Sequence, residues 1–346
     1  MKLAFIGFGH VGRGLTEILI RKGQELTNRL GFRYSIVAIA TLHRGSVYNA
    51  NGIDAVKLLE HVDNGNTLDD FPDGQKNPGT LEIIQKSNAN VILELSYSNF
   101  KDGEPATTYI KESLRAGKHV ITSNKGPSLF HHKEIKELAR ENNLFYLNEG
   151  TVLSGTPVIN LARNNLAGCT INRIRGIMNG TTNFILSRME TGCDYESAFN
   201  QAKKLGYVEA DPTADVDGWD AMAKAVILAN SLMDANLTPS DVIREGIRSI
   251  NSTMIQQAKK EKCRWKLIGE VERTGNKFKT RVAPVKLPYS DPLSHIRSTQ
   301  NAITFDTDLL RTLTIIGPGA GKIETGYSIL NDLLEINRLT KFNRNK

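Results

Sequence analysis

The sequence predicts an α/β protein: a doubly wound parallel sheet followed by a second, mixed α/β domain. Three observations carry that expectation. The first 150 residues alternate short apolar runs with longer helical patterns, a glycine motif sits at residue 7 between the first strand and the first helix, and the pattern changes near residue 150. Strand–helix alternation at this spacing implies parallel strands with helices on both faces.

Residues 3–8, 34–40, 91–95, 119–122 and 144–147 read as strands, being short and rich in apolar and β-branched side chains. Between them, 11–30, 105–116 and 132–141 read as helices. The first is stopped by Gly31, the second opens with Pro105 and is stopped by Gly117, and the third ends before Asn142-Asn143. The segment 63–79, rich in Asn, Asp, Gly and Pro, reads as a surface loop. Beyond residue 150, stretches 171–178 and 278–285 look like strands of a second sheet, with helices over 182–191, 195–205 and 218–233. Glycine-rich 317–321 precedes a last amphipathic helix at about 325–338. The expected domains are therefore 1–150, on which the C-terminal segment 317–346 packs back, and 151–316.

A chain of 346 residues with 40% hydrophobic and 23% charged content can bury a sizeable core. No apolar stretch reaches the roughly 18–20 residues of a membrane span. The short apolar start enters a glycine turn instead of a cleavage site, so a cytoplasmic protein is expected. Cys169, Cys193 and Cys263 share no CxxC or His/Cys spacing, which argues against a disulfide framework or a zinc site. The formal charge of +7 is diffuse, densest at 341–346, and lacks an aromatic-interleaved basic stripe. Nucleic-acid binding is not expected, although a positive field would help attract a phosphate-bearing cofactor.

Gly7-Phe8-Gly9-His10-Val11-Gly12 is GxGxxG at a strand-to-helix turn. Gly7 makes the tight turn, Gly9 lets backbone approach a pyrophosphate, and Gly12 allows close helix–strand packing. The first domain therefore reads as a Rossmann-like NAD(P) domain. An acidic residue closing the second strand would bind the ribose 2′-hydroxyl of NAD, but 36–40 runs into Thr41-Leu42-His43-Arg44 with no carboxylate. Arg44 could instead pair with a 2′-phosphate, and Lys57 could be a second cation, so NADP(H) is expected over NAD(H). Ser96 follows the strand at 91–95 at the carboxyl edge, where it would meet cofactor or cap a helix. Gly321 could bring backbone back to the cofactor.

The stretch 205–224 carries five carboxylates, Glu209, Asp211, Asp215, Asp217 and Asp220, and ends at Lys224. Asp220 and Lys224 stand at i and i+4 on one helical face. Beyond Lys224 the helix has no charge through Met233, so the lysine is expected to be buried and to need a partner. An ordinary surface ion pair beside a solvated acidic loop is the plainer alternative. Several carboxylates beside one lysine would suit a substrate bearing an ammonium group.

These residues closely resemble the signature of homoserine dehydrogenases. Blocks at 7–14, 123–127, 149–157, 176–183 and 317–321 fall in family order and cover nearly the whole chain. One departure is the missing acidic residue at Thr41-Leu42-His43. The resemblance implies hydride transfer between L-aspartate 4-semialdehyde and L-homoserine, with Lys224 as general acid/base and Lys125 close to nicotinamide and substrate. It implies that Asp220 orients the lysine or holds substrate, that Glu209 and Asp215 take the amino-acid ammonium, and that Gly206 lies in the same substrate loop. Ser123 would join Ser96 and Lys125 at the cofactor. Carbonyls around Val152, Ser154 and Thr156, with Glu149, would hold a structural sodium or similar ion, and the chain would form a homodimer. Two rival readings fit the residues less well. An aspartate-semialdehyde dehydrogenase needs a cysteine nucleophile, for which none of the three cysteines has the context; a non-catalytic dinucleotide sensor needs no Asp220/Lys224 pair.

Overall fold

The computed structural model describes residues 1–208 and 212–344. It divides into two compact units, Met1–Thr151 with Gly321–Lys346, and Val152–Ala320.

In the first unit the elements run β1 (Lys2–Ile6), α1 (His10–Leu30), β2 (Ser35–Ala40), β3 (Ser46–Tyr48), α2 (Ala55–Asp63), β4 (Gln75–Lys76) and α3 (Thr80–Lys86). They continue with β5 (Val91–Glu94), α4 (Ala106–Arg115), β6 (His119–Thr122), α5 (Lys125–Phe130), α6 (His132–Glu141) and β7 (Tyr146–Leu147). The sheet order is β4-β3-β2-β1-β5-β6-β7. Strands β2, β1, β5, β6 and β7 are parallel, whereas β3 and β4 add antiparallel pairs at one edge. Alternation along β1 separates the two faces. Leu3 and Phe5 join a core with Leu15 and Leu19 of α1 and Leu58 of α2, while Ala4 and Ile6 join one with Ile83 and Ile84 of α3. A third cluster packs α4 and α6 on Val120 and Tyr146.

Segment 63–79 is not the bare loop its composition suggests. Leu68 and Phe71 lie on and just after a 3-10 turn, Leu68–Asp70, and are both buried; β4 pairs with β3. Two apolar side chains in a polar stretch suffice to pin it to the core.

The second unit runs α7 (Val158–Asn165), β8 (Ile171–Ile177), α8 (Gly180–Met189), α9 (Tyr195–Lys204), α10 (Thr213–Val216) and α11 (Trp219–Leu232). It continues with β9 (Val242–Arg244), α12 (Ser252–Lys260), β10 (Cys263–Thr274), β11 (Lys277–Pro288), β12 (Gln300–Thr307) and β13 (Arg311–Pro318). Its sheet, β13-β12-β8-β10-β11-β9, is antiparallel except where β9 joins β11. Charge conceals β10 in the sequence, because Lys266 falls at a core position with 0% exposure. Its ammonium donates to Asn183 Oδ1 (2.9 Å) and the Ile296 carbonyl (2.6 Å), and burial lowers its pKa to about 8. Among the described residues no helix is long and apolar enough to cross a membrane.

Helix α13 (Lys322–Arg344) returns to the first unit and buries Ile329, Leu330, Leu333 and Ile336 in the same core as α1. It starts three residues before the expected 325 and runs past 338. The two helices meet at glycines. A methyl on Gly14 would lie 2.2 Å from the Lys322 carbonyl oxygen, and one on Gly326 would lie 2.5 Å from the Leu15 amide nitrogen. In an exposed helix Gly→Ala stabilises by about 1 kcal/mol. Here Gly14→Ala should instead destabilise by about 1–3 kcal/mol through overpacking, read as a lower urea midpoint than wild type.

Candidate active site

The glycine turn is built as the motif demands. Gly7 has φ +98°, and a methyl there would strike the Leu95 carbonyl oxygen at 2.5 Å, so only glycine fits between the ends of β1 and β5. Its amide is held by the Ala40 carbonyl (2.8 Å). Phe8 turns inward onto Phe5, with ring centroids 5.5 Å apart, while Gly9 and His10 are exposed and nothing lies within 4 Å of a methyl placed on Gly9. Arg13 makes a helical amide bond to the Gly9 carbonyl, which leaves the amides of His10, Val11 and Gly12 at the open head of α1. No side chain caps this end and no acidic residue stands in its first turn. Open space, free amides and the positive end of a 21-residue helix suit a pyrophosphate, so these residues fit a dinucleotide.

Beyond β2, Thr41 Oγ1 accepts from the Arg44 amide (2.9 Å) and donates to the Gly45 carbonyl (2.8 Å), leaving the Arg44 side chain exposed. Lys57 is exposed in the first turn of α2, where its amide is capped by Asp54. A carboxylate that the strand lacks arrives from elsewhere: Asp69 places Oδ1 1.7 Å from where a Gly45 Cβ would stand. Sequence reading missed it because 25 residues of chain separate Asp69 from Arg44.

At the carboxyl edge, Ser96 caps no helix; its amide donates to Glu94 Oε1 (3.1 Å) and its hydroxyl to the same oxygen. Ser123 is half-buried at the end of β6. Lys125, also half-buried, starts α5, with its amide donating to Ser98 Oγ (3.1 Å). Gly321 has φ +140° and opens α13, its carbonyl accepting from Thr325.

In the second unit, Lys224 is buried on α11 with its side chain 8% exposed. Its ammonium pairs with Asp220 (2.7 Å) and donates to the Met178 carbonyl at the end of β8 (2.7 Å). Asn179, next in the chain, gathers the carboxylates. Its Oδ1 accepts from Thr182 N to cap α8, while its Nδ2 donates to Asp215 Oδ1 (2.6 Å) and Asp220 Oδ2 (3.0 Å). Burial and, after it, the Asp220 charge push the Asp215 carboxyl above the ordinary range, against the lowering effect of the Asn179 bond and Lys224. Asp217 belongs to a different group, paired with Arg248 (2.5 Å). Asn179 was missed as a site residue; its helix-cap position before Gly180-Thr181-Thr182 was the available signal, but its bridging role has no sequence trace. Gly206 is exposed in the turn after α9, and the next residue's carbonyl is held by Thr181 Oγ1 (2.7 Å). Glu209, expected at the substrate, lies outside the described residues.

Glu149 is buried in a 3-10 turn, and its amide donates to Asp332 of α13 (3.1 Å). In the second unit Val152, Ser154 and Thr156 are buried. Leu153 and Ser154 are successive left-handed residues, φ +54° and +52°, and Thr156 donates to the Pro318 carbonyl (2.9 Å). Among the described residues no three His, Cys, Asp or Glu side chains form a metal cluster.

A dinucleotide cradle and a buried, carboxylate-paired ammonium are the equipment of an NAD(P)-dependent oxidoreductase working on an alcohol and its aldehyde. Comparison narrows the class. A family model described as homoserine dehydrogenase matches residues 157–334, and the chain belongs to that family. It is 43% identical over 338 residues to an NAD(+)-dependent homoserine dehydrogenase of Pseudomonas canavaninivorans, covering 97% of this chain and 96% of that one. To a homoserine dehydrogenase of Methanocaldococcus jannaschii it is 38% identical over 342 residues, covering 99% and 100%. A solved hyperthermophilic archaeal homoserine dehydrogenase in complex with NADPH matches with TM-score 0.81 at 30% identity, covering 96% of each chain.

Proposed function

We propose that the chain interconverts L-aspartate 4-semialdehyde and L-homoserine with Lys224 as its general acid/base, a step toward threonine, methionine and isoleucine in the cytoplasm. The observation that carries this is the Lys224 ammonium, withdrawn from water yet bonded to Asp220 and the Met178 carbonyl. The nicotinamide, when bound, supplies or accepts the hydride. Lys224 stabilises the alkoxide that develops as aldehyde is reduced and donates its proton there; in oxidation the neutral lysine takes the proton, so alkaline conditions favour that direction. Asp220 orients Lys224. Asp215 and Glu209 receive the substrate ammonium beside Gly206, and Lys125 is the second cation at the reacting groups.

The dinucleotide rests on residues 7–12, with Ser96, Ser123, Lys125 and Gly321 contributing. NADP(H) is the proposed preference, supported by exposed Arg44 and by Lys57, with no carboxylate closing β2. A second reading, NAD(H), is favoured by Asp69 against Gly45 and by the name of the NAD(+)-dependent relative. The 152–156 turn, strained at two non-glycine residues, suits a monovalent cation on backbone carbonyls with Glu149. A homodimer is in keeping with the exposed apolar residues Leu309, Leu310 and Ile316 around β13.

Lys224→Ala should keep cofactor affinity, measured by direct titration, while kcat for homoserine oxidation falls by about 100- to 10,000-fold. An unchanged kcat would remove the acid/base role. Because the Asp215 carboxyl is raised, its ionised form is lost on acidification earlier than an exposed aspartate's. Homoserine KM should therefore climb as pH drops from neutral into the acidic range, and at a higher pH than an exposed aspartate would give, while Asp215→Asn should raise KM at neutral pH and flatten that climb. Arg44→Ala should lower kcat/KM for NADP by about tenfold and leave NAD nearly untouched; equal losses with both cofactors would favour the NAD(H) reading.

A further inference from the structure

Glu94 ends β5 with 0% exposure, a complete carboxyl group in the interior of the first unit. Burial raises its pKa, and hydrogen bonds oppose that rise. Burying such a group unpaired would be costly, yet every contact it makes leads to a loop at the carboxyl edge of the sheet. Its Oε1 accepts from the Ser96 amide and hydroxyl, and its Oε2 accepts from Thr122 Oγ1 (2.9 Å). Thr122 Oγ1 in turn accepts from the Asn124 amide (2.9 Å). Asn124 Nδ2 crosses back to the Tyr97 carbonyl (2.9 Å) and Ser96 Oγ (3.3 Å), while its Oδ1 accepts from Gly126 N (3.0 Å) and so caps the helix that Lys125 begins.

We infer that Glu94 is the positioning residue of the dinucleotide site, fixing Ser96 as a hydrogen-bond acceptor and, through Thr122 and Asn124, setting the start of α5 at Lys125. The inference rests on the proposed reading of Ser96 and Lys125 as cofactor residues. Ser96 has one hydroxyl proton, and Glu94 takes it. One lone pair faces Asn124 Nδ2, so what Ser96 can still offer a ligand is an acceptor. A partner at Ser96 must donate, as a ribose hydroxyl or a carboxamide NH2 does. Oε1 is the oxygen that holds both the amide and the hydroxyl proton of Ser96.

The test compares Glu94→Ala and Glu94→Gln in the full chain, with NADH and NADPH titrated in the absence of homoserine and steady-state constants measured alongside. Glu94→Ala is expected to weaken binding of the preferred reduced cofactor by about tenfold or more and to lower kcat, with homoserine KM within about threefold of wild type. Glu94→Gln retains an oxygen for Ser96 and should recover binding to within about threefold of wild type. If Glu94→Ala does not fold, Thr122→Val cuts the same network and should weaken cofactor binding by about threefold or more. The inference is overturned if Glu94→Ala, or Thr122→Val in its place, binds cofactor like wild type, if Gln loses as much as Ala, or if homoserine KM shifts in step with cofactor binding. A wild-type protein that binds no dinucleotide would overturn the site reading and this inference together; wild-type activity with unaffected variants overturns this inference alone.

Discussion

Taking an ammonium out of water costs several kcal/mol unless its charge and its three donors are met by fixed partners. In the second unit that requirement falls on Lys224, and the partners come from separate pieces of chain. Asp220 comes from one turn earlier on α11, and the Met178 carbonyl from the end of β8. Asn179 then ties Asp220 to Asp215 on the short helix α10 while capping α8. Strand end, helix start, acidic loop and buried helix therefore have to converge within hydrogen-bond distance. The arrangement that makes the lysine tolerable also gathers one ammonium and two carboxylates, Asp220 and Asp215, around Asn179.

The first unit solves a different problem with different atoms. A pyrophosphate carries its charge on many oxygens, so backbone amides and a helix terminus suit it better than a single cation. The steric price of bringing backbone that close is glycine at position 7, where β1 turns against Leu95. The neighbouring loops are held by side chains that never need to touch ligand: Glu94, Thr122 and Asn124 bond to one another and to the backbone on both sides. Buried polar networks of this kind are rigid because each lost bond strands a partner.

Periodicity located most of the first unit. The strands at β1, β2, β5 and β6 and the helices at α1, α4 and α6 stand within a residue or two of their expected bounds, as apolar alternation and Gly or Pro punctuation would have it. The second sheet was harder to see. Four of its six strands, β9, β10, β12 and β13, escaped notice, and β10 shows why: its core face includes Lys266, whose burial depends on Asn183 and the Ile296 carbonyl, far away in sequence. The 63–79 segment failed for the converse reason, since two apolar residues outweighed a loop-like composition.

What the sequence determined by itself were the features that act over a few residues: GxGxxG between strand and helix, the i,i+4 pairing of Asp220 with Lys224, and the uncharged helix that buries the lysine. These follow from local geometry, where spacing along the chain is also spacing in space. Tertiary structure alone decided which distant groups complete them. Asn179 bridges two aspartates 36 and 41 residues away, Glu94 joins Thr122 across adjacent strands, and Asp69 is delivered to Gly45 by a 3-10 turn. Such contacts depend on sheet order and strand register, which follow from burying the whole apolar surface at once and leave no mark at any single position.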